Sequence, residues 1–333
     1  MTLSKLSPCR SLLSIKVNEI SFRNRHLQYN TTPHRTHQTL KNIVLVHGCF
    51  GFASQFCLLE KKLLEHGSRH GLNFKILNYC YPSPRQSIER SSEELLQFLN
   101  ENQDMTGSKH VLSSVGNLWN RNVFTNNNNI ERLPNIDTVN PLKQEYHFVT
   151  HSMGSMVVRR LLVTLMSQLE TSKNQSNPVL DILHQQEMLN LIQVSPLLSG
   201  NVRLARNLSF LLPLAKILRK YEHEPTIVEQ LMMNELSDDT EFTERYWWPS
   251  HSPLFGKVQL THVVTSLSTL KDLPVSSHTS HILSDLVLTY EEQTSRVPSH
   301  MKIESVLFKA DHNSVLLRRQ CIDKILEILS KPQ

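Results

Sequence analysis

The chain reads as an α/β fold with a mostly parallel sheet flanked by helices, and three observations predict it. Short runs of β-branched and other apolar residues recur along the chain. A strand apolar on both faces belongs inside a parallel sheet covered on both sides. Stretches with apolar residues at helical spacing separate these runs, the alternation that builds βαβ units. The 333 residues are 39% hydrophobic with 9 Gly and 15 Pro, enough apolar material for a sizeable core in one large domain or two ordinary ones. That composition excludes collagen-like, low-complexity and disordered chains.

Residues 1–40 form a basic N-terminal segment. Its first dozen residues are basic, Ser-containing and free of acids, which suits an organellar transit peptide but lacks the apolar stretch of a secretory signal. The other reading is a tail leading into a hairpin, with Ser14–Val17 and Ile20–Arg23 turning at Asn18-Glu19. The α/β domain is expected over 41–330. Asn42–His47 is its first strand, ended by Gly48, and Phe56, Leu59, Leu63 and Leu64 mark the helix that follows. Phe74–Tyr79 is the second strand, stopped by Pro82 and Pro84, and Ile88, Leu95, Leu96 and Leu99 mark the second helix. Residues 101–144 break the rhythm with four consecutive Asn and two Pro, and read as a surface insertion.

The alternation resumes with a strand at Tyr146–Thr150 and an apolar helix at Met153–Leu169. Further strands are expected at Met188–Val194, Leu260–Ser266 and Ile303–Phe308, before a C-terminal helix ending near Leu329. Residues 199–250 depart from the pattern. They hold a hydrophobic helix, Arg203–Leu218, a mixed stretch, and the cluster Tyr246-Trp247-Trp248-Pro249. This segment is either a helical cap over a site or extra helices packed on the sheet.

Charge and cysteine usage narrow the function classes. Of the net +5, residues 1–59 carry +6, seven Lys/Arg against Glu19, so the remaining 274 residues carry −1. A nucleic-acid binder would hold its basic patch on the folded body, so no nucleic-acid partner is expected. The five cysteines (Cys9, Cys49, Cys57, Cys80, Cys321) are odd in number and form no C-x-x-C pair. That argues against a disulfide framework or a zinc ribbon and for a reducing, intracellular compartment, cytoplasmic or mitochondrial. The longest apolar run, Leu208–Leu218, has eleven residues interrupted by Pro213 and Lys216. A bilayer-spanning helix needs about 20. The same run together with the basic N-terminal segment is compatible with peripheral contact at a membrane surface.

The chemistry concentrates in His147-Phe148-Val149-Thr150-His151-Ser152-Met153-Gly154, a strand, a tight turn and a helix start with Ser152 at the apex. A nucleophilic serine must project free of the backbone at a helix N-terminus, so small residues are needed two before and two after it. Thr150 departs from that pattern, and its Cβ is expected to crowd the following helix. Upstream, His47-Gly48-Cys49-Phe50-Gly51 follows a strand; Gly48 would let the chain turn and aim the N–H of Cys49 at the site. With the N–H of Met153, this would provide two donors for an oxyanion. Alternatively, His-Gly here is an ordinary βα turn.

With these motifs the chain resembles the α/β-hydrolase superfamily, in particular its small lipase- or esterase-like members. Asn78-Tyr79-Cys80-Tyr81-Pro82-Ser83, Ser195-Pro196-Leu197-Leu198-Ser199-Gly200, Ser284-Asp285-Leu286-Val287 and Asp311-His312-Asn313-Ser314-Val315-Leu316 are similar to family segments in the family order. The resemblance covers 43–100 and 145–330. It implies a catalytic triad of Ser152, Asp285 and His312, with Cys49 and Met153 as the oxyanion hole. Asp272 is the alternative acid, closer to the strand 260–266, and Leu286 stands where the family has Gly.

The implied function is cleavage of a carboxylic ester, a lipid or medium-chain ester, through an acyl-enzyme on Ser152, with no metal or organic cofactor. An acyltransferase would use the same intermediate. The alternative is a catalytically inactive binding or scaffold protein, to which the departures at Thr150, Ser155 and Leu286 point. His66 with His70, and His278 with His281, have metal-ligand spacing but no third clustered ligand, so solvated faces are the expectation. His151 reads as an elbow residue rather than the base. A cysteine nucleophile needs an activating partner, nothing in the sequence points to one for Cys49, and it is not expected to be a nucleophile.

Overall fold

The computed structural model describes residues 39–49, 51–83, 85–103, 143–171, 177–198, 224–225, 229–231, 233, 239–252, 255–267 and 285–331. Along these run Thr39–Val46 (β1), Cys57–His70 (α1), Asn73–Tyr79 (β2), Ile88–Glu101 (α2), Lys143–His151 (β3), Gly154–Thr171 (α3) and Pro178–Gln185 (α4). Then follow Leu189–Val194 (β4), Asp239–Tyr246 (α5), Val258–Ser266 (β5), Tyr290–Thr294 (α6), Ile303–Lys309 (β6) and Arg319–Ser330 (α7). The six strands form one sheet in the order β2-β1-β3-β4-β5-β6, every pair parallel.

Strand composition explains the layers. In β1, Ile43 and Leu45 face the core shared with Phe56, Leu59 and Leu63 of the α1 side and Ile322 and Ile325 of α7. Val44 and Val46 face the core shared with Leu95 and Leu99 of α2 and Val157, Val158 and Leu161 of α3. Successive side chains on a strand point to opposite faces, so a continuous apolar run is what a sheet covered on both sides requires. Lys41 is buried and its Nζ donates to the carbonyl of Leu329 at 3.0 Å, which satisfies an open carbonyl at the C-terminus of α7 with a positive charge.

The strand order positions the site. After β1 the chain goes outward to β2, then returns past β1 to β3, so successive connections leave β1 in opposite directions. Ligands of open α/β sheets sit at the carboxyl ends of the strands where this reversal occurs. Here the reversal lies between β1 and β3, in register with Val46 beside Thr150, which brings the His47-Gly48 turn next to His151-Ser152.

Some expectations change at their edges. α2 runs through Glu101 and β3 starts at Lys143, so the ends of the expected 101–144 insertion belong to regular elements, and 104–142 lie outside the described residues. The helix α4 was not expected: eight residues are too few for a clear periodicity. Its signal was the pair Asn177-Pro178, in which the Asn177 side chain accepts from Val179 and Leu180 N–H and Pro178 occupies the first turn. Within 199–250, Asp239–Tyr246 is helical, and Tyr246, Trp247 and Trp248 are buried in the core shared with α3. The transit-like segment and hairpin, the helix Arg203–Leu218, Asp272, His278 and His281 lie outside the described residues.

Candidate active site

The elbow forms where β3 stops and α3 starts. Ser152 adopts φ 51°, the left-handed region that a non-glycine residue enters at a cost of about 1–2 kcal/mol. The surrounding contacts hold it there. Ser152 N–H donates to Val194 O at 2.9 Å, and the Ser152 carbonyl accepts from Ser155 N–H at 3.1 Å and Leu197 N–H at 3.3 Å. Gly154 cannot carry a side chain, since a Cβ would lie 2.6 Å from the carbonyl oxygen of His47. Thr150, whose Cβ was expected to crowd the following helix, stays in the β-ladder, paired with Val46 and Gln193, fully buried, its hydroxyl 3.5 Å from Ile192 O. The close approach of α3 to the end of β1 falls on Gly154.

The turn after β1 abuts the elbow. A Cβ on Gly48 would lie 2.8 Å from the Cβ of Ser152. The buried ring of His47 fastens this turn. Its Nδ1–H donates to Gly48 O at 2.8 Å, its Nε2 accepts Tyr81 N–H at 3.2 Å, and Tyr81 stacks on it at 4.4 Å between ring centroids. Burial holds the His47 pKa below its ordinary value, so the ring stays a neutral strut. Cys49, with partial exposure, follows directly. Ser152 N–H is already committed to β4, whereas Met153 N–H donates to no acceptor among the described residues.

Asp285 and His312 meet at the same edge. His312 Nδ1–H donates to Asp285 Oδ2 at 2.8 Å, and His312 N–H donates to Asp285 O at 3.0 Å. Asp285 is fully buried. Its Oδ1 accepts the N–H groups of Val287 at 3.0 Å and Leu288 at 2.7 Å, and Oδ2 also accepts the Thr265 hydroxyl at 2.6 Å. Burial alone would raise its pKa, but the hydrogen bonds from His312, Thr265 and Leu288 outweigh it and hold the carboxyl below the usual range. Leu286, where glycine was expected, sits at φ 79° with its side chain 72% exposed. The turn that presents Asp285 needs a positive φ, which leucine supplies under strain while its side chain escapes to solvent.

With Nδ1 engaged by Asp285, Nε2 is the nitrogen of His312 left to exchange a proton. No hydrogen bond joins it to Ser152 Oγ among the described residues; unliganded sites commonly tighten this contact only with substrate. His151 links the two: its Nε2–H donates to His312 O at 2.8 Å, with ring centroids 4.8 Å apart. Burial, then the neighbouring His312, pulls the His151 pKa down to about 3, which suits a neutral spacer and not a base.

Several residues were not singled out from sequence. Thr265, next to last in β5, donates to Asp285 and is paired with Ser195 Oγ at 2.6 Å. Gln293 of α6 accepts Thr265 N–H at 2.9 Å and donates to Thr265 O at 2.8 Å. The available signal was the polar pair Thr265-Ser266 after Val263-Val264 at the end of the strand; for Gln293 there was none. His66 and His70 face each other at 4.3 Å, but His66 Nε2–H is taken by Ser330 Oγ at 2.7 Å. Among the described residues no group of three or more His, Cys, Asp or Glu could hold a metal, the four cysteines form no disulfide, and no helix is long and apolar enough to cross a membrane.

No family model matches the sequence, and no curated protein does. Solved structures with a similar chain course include a gene product of Listeria innocua, at 12% identity over 88% of this chain and 95% of that one, TM-score 0.45. Phospholipase PlaB from Legionella pneumophila is similar at 15% identity over 75% of this chain and 44% of its own length, TM-score 0.43. Carboxyl esterase 2 from Tuber melanosporum is similar at 14% identity over 87% and 76%, TM-score 0.39. The six-stranded parallel sheet carries Ser152 at a strand-to-helix turn after β3.

Proposed function

We propose that this chain is a serine hydrolase that cleaves carboxylic esters through an acyl-enzyme on Ser152. The observation that carries the reading is a strained Ser152 at the strand-to-helix turn together with a buried Asp285–His312 hydrogen bond at the same sheet edge. In the first step Ser152 Oγ attacks the ester carbonyl carbon while its proton passes to His312 Nε2. The carbonyl oxygen takes the negative charge and is met by the N–H groups of Cys49 and Met153. The tetrahedral species collapses, the C–O bond to the alcohol breaks, and His312 returns its proton to the departing alkoxide. Water repeats the sequence on the acyl-enzyme and releases the acid. Asp285 holds the imidazole with its proton on Nδ1 and stabilises the imidazolium between these transfers.

An apolar acyl group is the expected substrate. Phe52, Leu286 and Leu317, exposed at 69%, 72% and 57%, stand in the loops that leave β1, follow β5 and follow β6 at the carboxyl edge. Single exposed apolar residues are ordinary, but three large ones in the loops that carry the site favour a lipid or medium-chain ester. A fluorophosphonate probe is expected to label the purified protein and to lose its target in Ser152→Ala. An unlabelled native protein, or labelling that persists in the variant, would return the chain to a binding role. Hydrolysis of p-nitrophenyl esters of increasing acyl length then reads the chain-length preference.

A further inference from the structure

Arg159 lies in α3 with its side chain fully buried, and it forms no ion pair with an acid among the described residues. Its guanidinium stacks 4.5 Å from the centroid of the Trp247 ring. Nε–H donates to Ser155 O at 3.3 Å and Nη2–H to Leu197 O at 2.7 Å. Burial pulls its pKa down to about 9, which leaves it charged at neutral pH. A buried charge is costly, and a hydrocarbon of similar volume would pack as well or better. What a hydrocarbon lacks is a rigid fork of donors able to hold carbonyls on two different segments.

Those two segments converge on one peptide unit. Ser155 Oγ–H lies 2.6 Å from Ser152 O and 3.1 Å from Leu197 O, so it spans both acceptors. The N–H groups of Ser155 and Leu197 reach the same Ser152 oxygen at 3.1 and 3.3 Å. Three donors therefore fix the direction of the Ser152 carbonyl. The peptide is planar and trans, so the N–H of the next residue, Met153, must point the opposite way.

We propose that Arg159 is a positioning residue: by tying Leu197 O on the loop after β4 to Ser155 on α3, it locks the Ser152–Met153 peptide plane. Met153 N–H thereby stays aimed at the place where the oxyanion forms. The inference rests on the hydrolase reading for its catalytic consequence, and on geometry alone for the lock.

The variants are Arg159→Met, which keeps volume and the Trp247 contact but removes the fork, and Ser155→Ala, which removes the bridging hydroxyl and keeps the helix should the first fail to fold. Amide hydrogen exchange in the full chain reads the lock without turnover. The Ser155 and Leu197 amides are expected to exchange at least about tenfold faster in either variant, with the amides of β5 and the second half of α3 unchanged. On a p-nitrophenyl ester, kcat is expected to fall about tenfold with KM within twofold, since the donor is used only in the transition state; losing it outright costs about 10²–10³. Arg159→Lys, with one donor point in place of a fork, is expected to fall between.

Unchanged exchange at Ser155 and Leu197 overturns the lock, as does acceleration spread evenly through α3 and β5. A raised KM with kcat intact overturns the catalytic consequence. A native protein without probe labelling refutes the hydrolase reading, while the exchange comparison still decides the lock.

Discussion

Replacing Asp285 with Asn changes the acid by little more than one proton's worth of bonding, and the structure dictates how the amide must sit. Oδ1 faces the backbone N–H groups of Val287 and Leu288, at 3.0 and 2.7 Å, neither of which can turn away. The amide oxygen has to stay there, and the NH2 takes the place of Oδ2 against His312 Nδ1, now 2.8 Å away. Two donors cannot face each other, so the imidazole moves its proton to Nε2, the nitrogen required to accept one from Ser152. The Thr265 hydroxyl, which donates to Oδ2 at 2.6 Å, must rotate as well. A wrong tautomer in an otherwise intact triad lowers kcat about 10⁴-fold, roughly 5.4 kcal/mol at 1.36 kcal/mol per decade. The assay is steady-state hydrolysis of a p-nitrophenyl ester by Asp285→Asn, with a melting curve to show that the fold persists. Activity within tenfold of the native protein, in a variant that still melts cooperatively, would refute the assignment of the acid and with it the tautomer argument.

Two further outcomes follow from the same geometry. In Gly48→Ala the new Cβ would meet Ser152 Cβ at 2.8 Å and His151 O at 3.2 Å, contacts that cannot swing aside. The expected result is a loss of about 1–3 kcal/mol in stability from overpacking and of about 100-fold in kcat from displacement of the nucleophile; an unchanged melting point together with an unchanged probe-labelling rate would contradict it. His151 and His262 are both buried, and burial first, then the neighbouring His312 and Arg159 respectively, holds their pKa values down to about 3 against an ordinary 6.5. Between those values the unfolded chain binds protons that the folded chain does not, so stability falls as pH drops below about 6.5, by up to ~1.4 kcal/mol per pH unit for each group. The depressed Asp285 carboxyl adds a loss in the same direction once pH passes below the ordinary carboxylate value. Urea unfolding from pH 7.5 to 4.5 reads the slope, which His262→Gln should reduce by about one proton; flat stability across that range would mean that these histidines are not held neutral in the fold.

Much of the architecture was legible because it is written in local patterns. The six strands, most of the helices around them and the turn at Ser152 follow from short-range periodicity and from the steric demands of one tight turn, with Gly154 meeting them on the helix side. Thr150 and Leu286, departures by composition, became intelligible only in place. One is a ladder residue, and the other is a strained turn residue that is 72% exposed. The helix α4 was missed because eight residues carry too little periodicity, and where Tyr246, Trp247 and Trp248 pack was open in the sequence because their partners on α3 are far away in the chain.

The sequence by itself determined which segments become strands and helices and which serine stands at a strand-to-helix turn, since each depends on residues only a few positions apart. Tertiary structure alone decided that Asp285 meets His312 across 27 positions, that Thr265 supports Asp285 across 20, and that Arg159 reaches Leu197 across 38. Such pairings depend on strand order and register. A hydrogen bond forms only where two groups arrive within about 3 Å in the right orientation, and a linear pattern carries no record of that distance.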